Sequence, residues 1–134
     1  MDPGRARALF AGARVARLAT VRPDGTPRLV PVTFAVRGDV IVTAVDHKPK
    51  TTTALGRLAD IAANPRVCLL ADHYDDDWER LWWARADGPA RVVEGAAEER
   101  SWLVEKYAQY RERPPAGPAV LVEVGRWSGW TAAR

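Results

Sequence analysis

A chain of 134 residues with 47% apolar residues can bury a real core, and its length predicts one domain, 1–134. The net charge is only +3, and its 20 basic and 17 acidic residues are interleaved, which argues against a nucleic-acid partner. The single cysteine, Cys68, excludes an intrachain disulfide, and no apolar stretch approaches a membrane span or a secretory leader, so a soluble, cytoplasmic protein without a membrane partner is expected.

Asp2-Pro3 predicts a helix start, with a capping carboxylate before a ring that suits the first turn. Ala6, Leu9, Phe10 and Ala13 give that helix its apolar side. Residues 14–21 read as a strand, 22–27 as a turn around Asp24-Gly25, and 28–36 as the returning strand of a hairpin. A tight turn at 37–39 leads to a third strand, 40–45. The period then changes: Ala54, Leu55, Leu58, Ile61 and Ala62 recur at helical spacing until Asn64-Pro65 stops the helix. Residues 66–72 form an apolar run typical of a central strand, and 73–80 a polar connection. Residues 81–88 and 89–95 read as a strand pair joined near Asp87-Gly88-Pro89. A helix over about 96–110 follows, with Leu103, Val104, Tyr107 and Tyr110 as its apolar face; residues 111–118 read as a loop and 119–127 as the last strand. Six or seven strands with short turns and three helices predict an α+β domain that is mainly β, an antiparallel sheet curled into a small barrel with peripheral helices.

Two segments could carry chemistry. By composition positive charge is written as Arg, with only three lysines, yet Lys48 and Lys50 flank Pro49 where a strand passes into a helix. Unpaired N–H groups at a helix start, two ammonium groups and the hydroxyls of Thr51, Thr52 and Thr53 make a phosphate site; a solvated basic loop with a threonine cap explains the same residues. The second segment, 72–83, holds Asp72, Asp75, Asp76, Asp77 and Glu79 ahead of Trp82-Trp83. It lacks the calcium-loop glycine, and His47 and His73 lack zinc-ligand spacing, so no metal is expected and a solvated acidic loop is the better reading. Adjacent strand residues face opposite ways, so one of the two tryptophans enters the barrel and the other needs cover from a partner subunit or a planar ligand. No nucleophile–base pair, Walker loop or dinucleotide fingerprint is present; if the chain is an enzyme, a cofactor carries the reactivity.

The order "RLATVRPDGTPRLVPVTF", a third strand, "KPK" opening a helix, "NPRVCLL" and "DHYDDDWERLWWARADGPARVV" resembles the split β-barrel, pyridoxamine 5′-phosphate oxidase-like superfamily over essentially the whole chain. "DHKPK" with "DHYDDDWERLWW" is closest to its small actinobacterial branch of F420-dependent oxidoreductases. The resemblance implies an FMN-binding-like split β-barrel and a homodimer with two cofactors in grooves between subunits. It places Val30–Phe34 along the isoalloxazine-like ring, with Pro31, Val32 and Thr33 at the ring edge and Thr43 near the ribityl chain. It gives the phosphate to Lys48, Lys50 and Thr51, lines the groove or dimer interface with Trp82, Trp83 and Arg85, and has Trp127 and Trp130 close it from the other subunit. The cofactor it implies is the deazaflavin F420, with FMN as the alternative; the F420 oligoglutamate tail would suit Arg57 or Arg28 at the groove mouth. The activity it implies is hydride transfer to a small organic acceptor, with Thr33 or a water supplying the proton. A non-catalytic flavin, deazaflavin or haem carrier is the alternative. The chain ends without the C-terminal extension of the true pyridoxamine phosphate oxidases, so vitamin B6 oxidation is not expected.

Overall fold

The computed structural model describes residues 1–45 and 52–133. In chain order these form α1 (Pro3–Gly12), β1 (Ala16–Val21), β2 (Pro27–Val32), β3 (Ala35–Arg37), β4 (Val40–Ala44), α2 (Thr52–Ala63), β5 (Arg66–His73), β6 (Trp82–Val93), α3 (Ala97–Lys106), α4 (Ala108–Glu112), β7 (Ala119–Glu123) and β8 (Arg126–Thr131). The eight strands form one antiparallel sheet in the order β2-β1-β5-β6-β7-β4-β3, with β8 beside the first half of β6. It has the split-barrel arrangement without closing: among the described residues β2 pairs only with β1, and β3 only with β4.

Four boundaries differ from the sequence reading, each for a local reason. The strand expected over 28–36 breaks at Thr33-Phe34, because the fully buried Phe34 gives its N–H to the Tyr107 hydroxyl instead of to a neighbouring strand. The strand pair expected at 81–95 is a single strand. Gly88-Pro89 does not reverse the chain; it passes β6 from β5, which pairs with it up to Pro89, to β7, which pairs with it from Ala90. Gly88 lies so close to β7 that a Cβ there would collide with the Glu123 carbonyl. The last strand continues past Trp127 to Thr131, interrupted at Val124-Gly125. Three residues there oppose two of β6, so β7 and β8 follow one edge of it with a bulge between them. The helix expected over 96–110 is two, because Tyr107 between them is extended (φ −115°, ψ 118°).

Alternation along the strands sorts the core into two layers. Leu18, Val32, Leu69, Ala84 and Ala86 point inward with Phe10 of α1, which meets Phe34 at 4.8 Å and the Trp127 ring edge-on at 5.4 Å. On the other face of β4 and β7, Val42, Ala119 and Leu121 pack against Trp102, Leu103 and Tyr107 of the α3 region. The strands β4 and β7 are therefore buried on both faces, which holds the adjoining β2–β3 junction from behind.

Helix α2 is fixed by charge as well as by packing. Asp60, 1% exposed, accepts from Arg28 Nε of β2 at 2.7 Å and from the Thr20 hydroxyl of β1 at 2.8 Å. A Cβ on Gly56 would stand 2.7 Å from the Arg28 guanidinium carbon, so glycine makes room for that side chain to pass beneath the helix. Burial opposes ionisation of Asp60 most strongly. The hydrogen bonds from Arg28 and Thr20, with the charges of Arg28 and Arg22, outweigh it and hold the carboxyl below its ordinary range.

Candidate functional site

The β2–β3 junction is where the chain leaves the ladder and its backbone is caught by side chains. The Thr43 hydroxyl of β4 donates to the Thr33 carbonyl at 2.7 Å. The Tyr107 hydroxyl accepts from Phe34 N–H at 3.1 Å, and its proton lies between the carbonyls of Arg14 at 2.9 Å and Phe34 at 3.1 Å. The Thr33 and Tyr110 hydroxyls are 2.7 Å apart. Lys106 Nζ sits 3.7 Å from the Phe34 ring centroid and donates to the Ala11 carbonyl. A short irregular stretch on a sheet edge would ordinarily be mobile; four side chains from β4 and the α3–α4 region hold this one still.

The expected site residues fall into separate places within one chain. Pro31 is exposed on the outer face of β2, Val30 packs on the core, Val32 is buried and Thr33 is half-buried at the junction. Thr43 is 1% exposed, and its hydroxyl is spent on the Thr33 carbonyl; it holds the junction and offers no surface to a ribityl chain. Trp82 and Trp83 face opposite ways: Trp82 packs against the core, and Trp83 lines an outer cleft of about 400 Å³ with Leu70, Asp72, Tyr74 and Arg85. Arg85 is clamped to Asp87 (2.7 and 2.9 Å), which raises its already high pKa further. Trp127, expected at the groove, is buried in this chain against Phe10, and its Nε1 donates to Asp39 at 2.9 Å. Trp130, also expected to close the groove, stays 45% exposed. Lys48, Lys50 and Thr51 lie outside the described residues. Arg28, a candidate for an anionic tail, is committed to Asp60.

Register gives the distance between the two exposed places. Pro31 pairs with Arg17, Arg17 with Leu70 and Leu70 with Arg85, so Pro31 and Arg85 stand in one cross-strand row. Three strand spacings separate them, about 14 Å. The junction and the Trp83 cleft thus share the outer surface of the sheet without meeting in one subunit.

Sequence reasoning missed the tyrosines as site residues, assigning Tyr107 and Tyr110 to an apolar helix face. The available signal was their chemistry: a buried phenol needs a hydrogen-bond partner, and two tyrosines three apart point at whatever polar backbone lies opposite. Among the described residues, no group of three His, Cys, Asp or Glu side chains is placed to hold a metal, and no helix is long and apolar enough to cross a membrane.

A search of curated proteins finds no match. Among solved structures, the conserved hypothetical protein Rv2991 of Mycobacterium tuberculosis superimposes with a TM-score of 0.77 at 20% identity, covering 98% of this chain and 86% of that one. A FAD-binding protein of Mesorhizobium loti gives 0.70 at 19% identity, over 96% and 92% of the two chains. A haem-binding protein of Mycobacterium smegmatis gives 0.70 at 21% identity, over 95% of this chain and 56% of that one. At these identities the likeness establishes the fold alone. The family profile described as pyridoxamine 5′-phosphate oxidase matches residues 3–130, nearly the full length. On that match the chain belongs to the pyridoxamine 5′-phosphate oxidase family.

Proposed function

We propose that the protein is an oxidoreductase that binds a flavin-type cofactor between two copies of the chain and passes a hydride to a small organic acceptor. F420 is the cofactor favoured by the "DHKPK" and "DHYDDDWERLWW" segments, and FMN is the alternative. The observation that carries the reading is the clamped, half-buried junction at Thr33 in a chain of this family. A planar ring needs a rigid polar edge and an apolar wall. The Pro31–Thr33 backbone supplies the edge, and a surface like the Trp83 cleft supplies the wall. The two lie about 14 Å apart in one subunit, so in this reading a two-fold partner brings its own cleft to the junction.

Bound in reduced form, the cofactor would supply the hydride. The chain's own residues would do the rest. The Pro31–Thr33 edge orients the ring, Thr33 Oγ1 holds an exchangeable proton beside it, and the aromatic wall excludes water. Lys48, Lys50 and Thr51 would hold the phosphate, as the family resemblance implies. Titration with FMN and with F420, followed by tryptophan fluorescence, tests the reading. Binding of at least one below roughly 100 μM is expected, and failure of both at that concentration removes the cofactor. A carrier without turnover is the second reading, favoured by the absence of an evident acid–base pair and by the haem-binding protein of the same fold. Oxidation of the reduced cofactor by added acceptors no faster with protein than without would select it.

A further inference from the structure

A second pocket, of about 430 Å³, opens where the first turn of α1 meets the β3–β4 turn and the bulge between β7 and β8. It shares no lining residue with the Thr33 junction or the Trp83 cleft, and its size is that of a small-molecule site. The bulge is fixed on two sides: Val124 gives its N–H to the Asp39 carbonyl and Gly125 to the Asp87 carbonyl, both at 2.8 Å. Gly4 and Gly125 bring no side chain to the walls, and the buried Trp127 and Val124 supply an apolar floor. The charges on the walls do not balance, since Arg7 and Arg126 face one carboxylate, Asp39. That carboxylate is already committed: its Oδ1 accepts from Trp127 Nε1 at 2.9 Å, and Arg7 reaches the same atom only at 3.4 Å. Both members of the Arg7–Asp39 pair are exposed, so a contact of that length holds Arg7 weakly. Arg126 stands directly opposite Asp87, the carboxylate it would ordinarily take, but Arg85 holds Asp87 through Nε and Nη2. Among the described residues Arg126 has no hydrogen-bond or ion-pair partner.

We propose that this pocket is a binding site for a small organic monocarboxylate with an apolar body. The carboxylate bridges the Arg7 and Arg126 guanidiniums, whose planar forks match its two oxygens, and the body lies over Trp127 and Val124. Arg7 gives up only a long, exposed contact, and Asp39 keeps its bond from Trp127, so ligand entry leaves no buried charge unpaired. The one surplus guanidinium sets the ligand's charge. A second negative charge on the ligand would meet the Asp39 carboxylate, which places a dianion at a disadvantage. The site stands apart from the cofactor reading above and does not depend on it.

The test titrates the full chain with benzoate, followed by calorimetry and by proton–nitrogen NMR spectra, with benzyl alcohol as the neutral comparator and phenyl phosphate as the dianion. Benzoate is expected to bind with a dissociation constant of about 1 mM or tighter and to shift the Trp127 indole N–H and the Gly4 and Gly125 amides saturably. Benzyl alcohol and phenyl phosphate should each bind at least about fivefold more weakly. Arg7→Gln and Arg126→Gln should each weaken benzoate about tenfold or more, the scale of a charge-assisted contact. Arg91→Gln makes the same change of charge at an exposed position of β6 outside the pocket and should leave the affinity as it was. The absence of saturable shifts at these three groups up to roughly 10 mM benzoate would overturn the site. Equal losses in Arg91→Gln would overturn it too, by reducing the effect to net charge. Binding of benzyl alcohol or phenyl phosphate as tight as that of benzoate would overturn the ligand class.

Discussion

Lys106 is the third lysine of the chain, and its surroundings are unlike those of a surface amine. Its ammonium lies over the Phe34 ring, 5.3 Å from the Tyr107 centroid, with Arg14 stacked on the same tyrosine at 4.9 Å. Burial, and then the charge of Arg14, push its pKa down to about 8. The consequence for stability has a definite sign. Between about pH 8 and 10 the unfolded chain keeps a proton on Lys106 that the native state has released, so stability rises with pH in that window. Above about 10, Tyr107 acts in the opposite direction, since burial raises its pKa and favours the protonated phenol in the fold. Urea midpoints of wild type and Lys106→Met, taken at intervals from pH 7 to 10, are expected to diverge in favour of wild type as pH rises through 8. Parallel curves would mean that the amine is solvated in the native state.

At the level of elements, the sequence was legible where the signal was local. The Asp2-Pro3 start of α1, the turn at Asp24-Gly25, the stop at Asn64-Pro65 and the strand at 66–72 depend on backbone chemistry within a few residues, and all are present. What failed was the reading of Gly88-Pro89 as a turn, because the same dipeptide serves a strand that changes neighbours. Which role it takes depends on β7, more than thirty residues away. The site was legible in part for the same reason. Pro31 and Thr33 lie on the edge strand and at its end, but the hydroxyls that hold Thr33 and the neighbouring Phe34 come from Thr43, Tyr107 and Tyr110. The link between β2 and α2 was likewise invisible, since Arg28 and Asp60 are 32 positions apart. That link is testable. Removing one partner of a buried pair leaves the other charge uncompensated, so Asp60→Ala is expected to cost about 3–5 kcal/mol at pH 7. The depressed pKa of Asp60 contributes stability above the ordinary carboxylate pKa, and it is lost as pH falls through the native value. The wild type and Asp60→Asn should therefore converge below about pH 4. A constant gap in denaturation midpoints down to pH 2 would place the effect in shape rather than charge.

For the whole molecule, the decisive question is what covers the outer face of the sheet. Leu29 is 67% exposed on β2, Leu70 38% on β5 and Trp130 45% on β8, with Trp83 between the last two strands. Two ion pairs, Arg17–Asp72 and Arg85–Asp87, lie on this face. Exposed apolar side chains this large, set among charged pairs on one face of the sheet, make that face a candidate contact surface. A two-fold contact would cover it with the same surface and set the Trp83 cleft of one subunit against the Thr33 junction of the other. Leu70 lies on the central strand of this face, between β1 and β6, so a charge there is the sharpest probe. Wild type is expected to sediment as a dimer at micromolar concentration. Leu70→Lys places two ammonium groups near the symmetry axis, where like-charge juxtaposition costs several kcal/mol, and should sediment as a folded monomer. If the cofactor spans the interface, that monomer should also lose FMN and F420 together, although Leu70 lies outside the junction. Dimer loss with unchanged cofactor affinity would confine the site to one chain, and a wild type that stays monomeric at high micromolar concentration would leave the two halves of the site unable to meet.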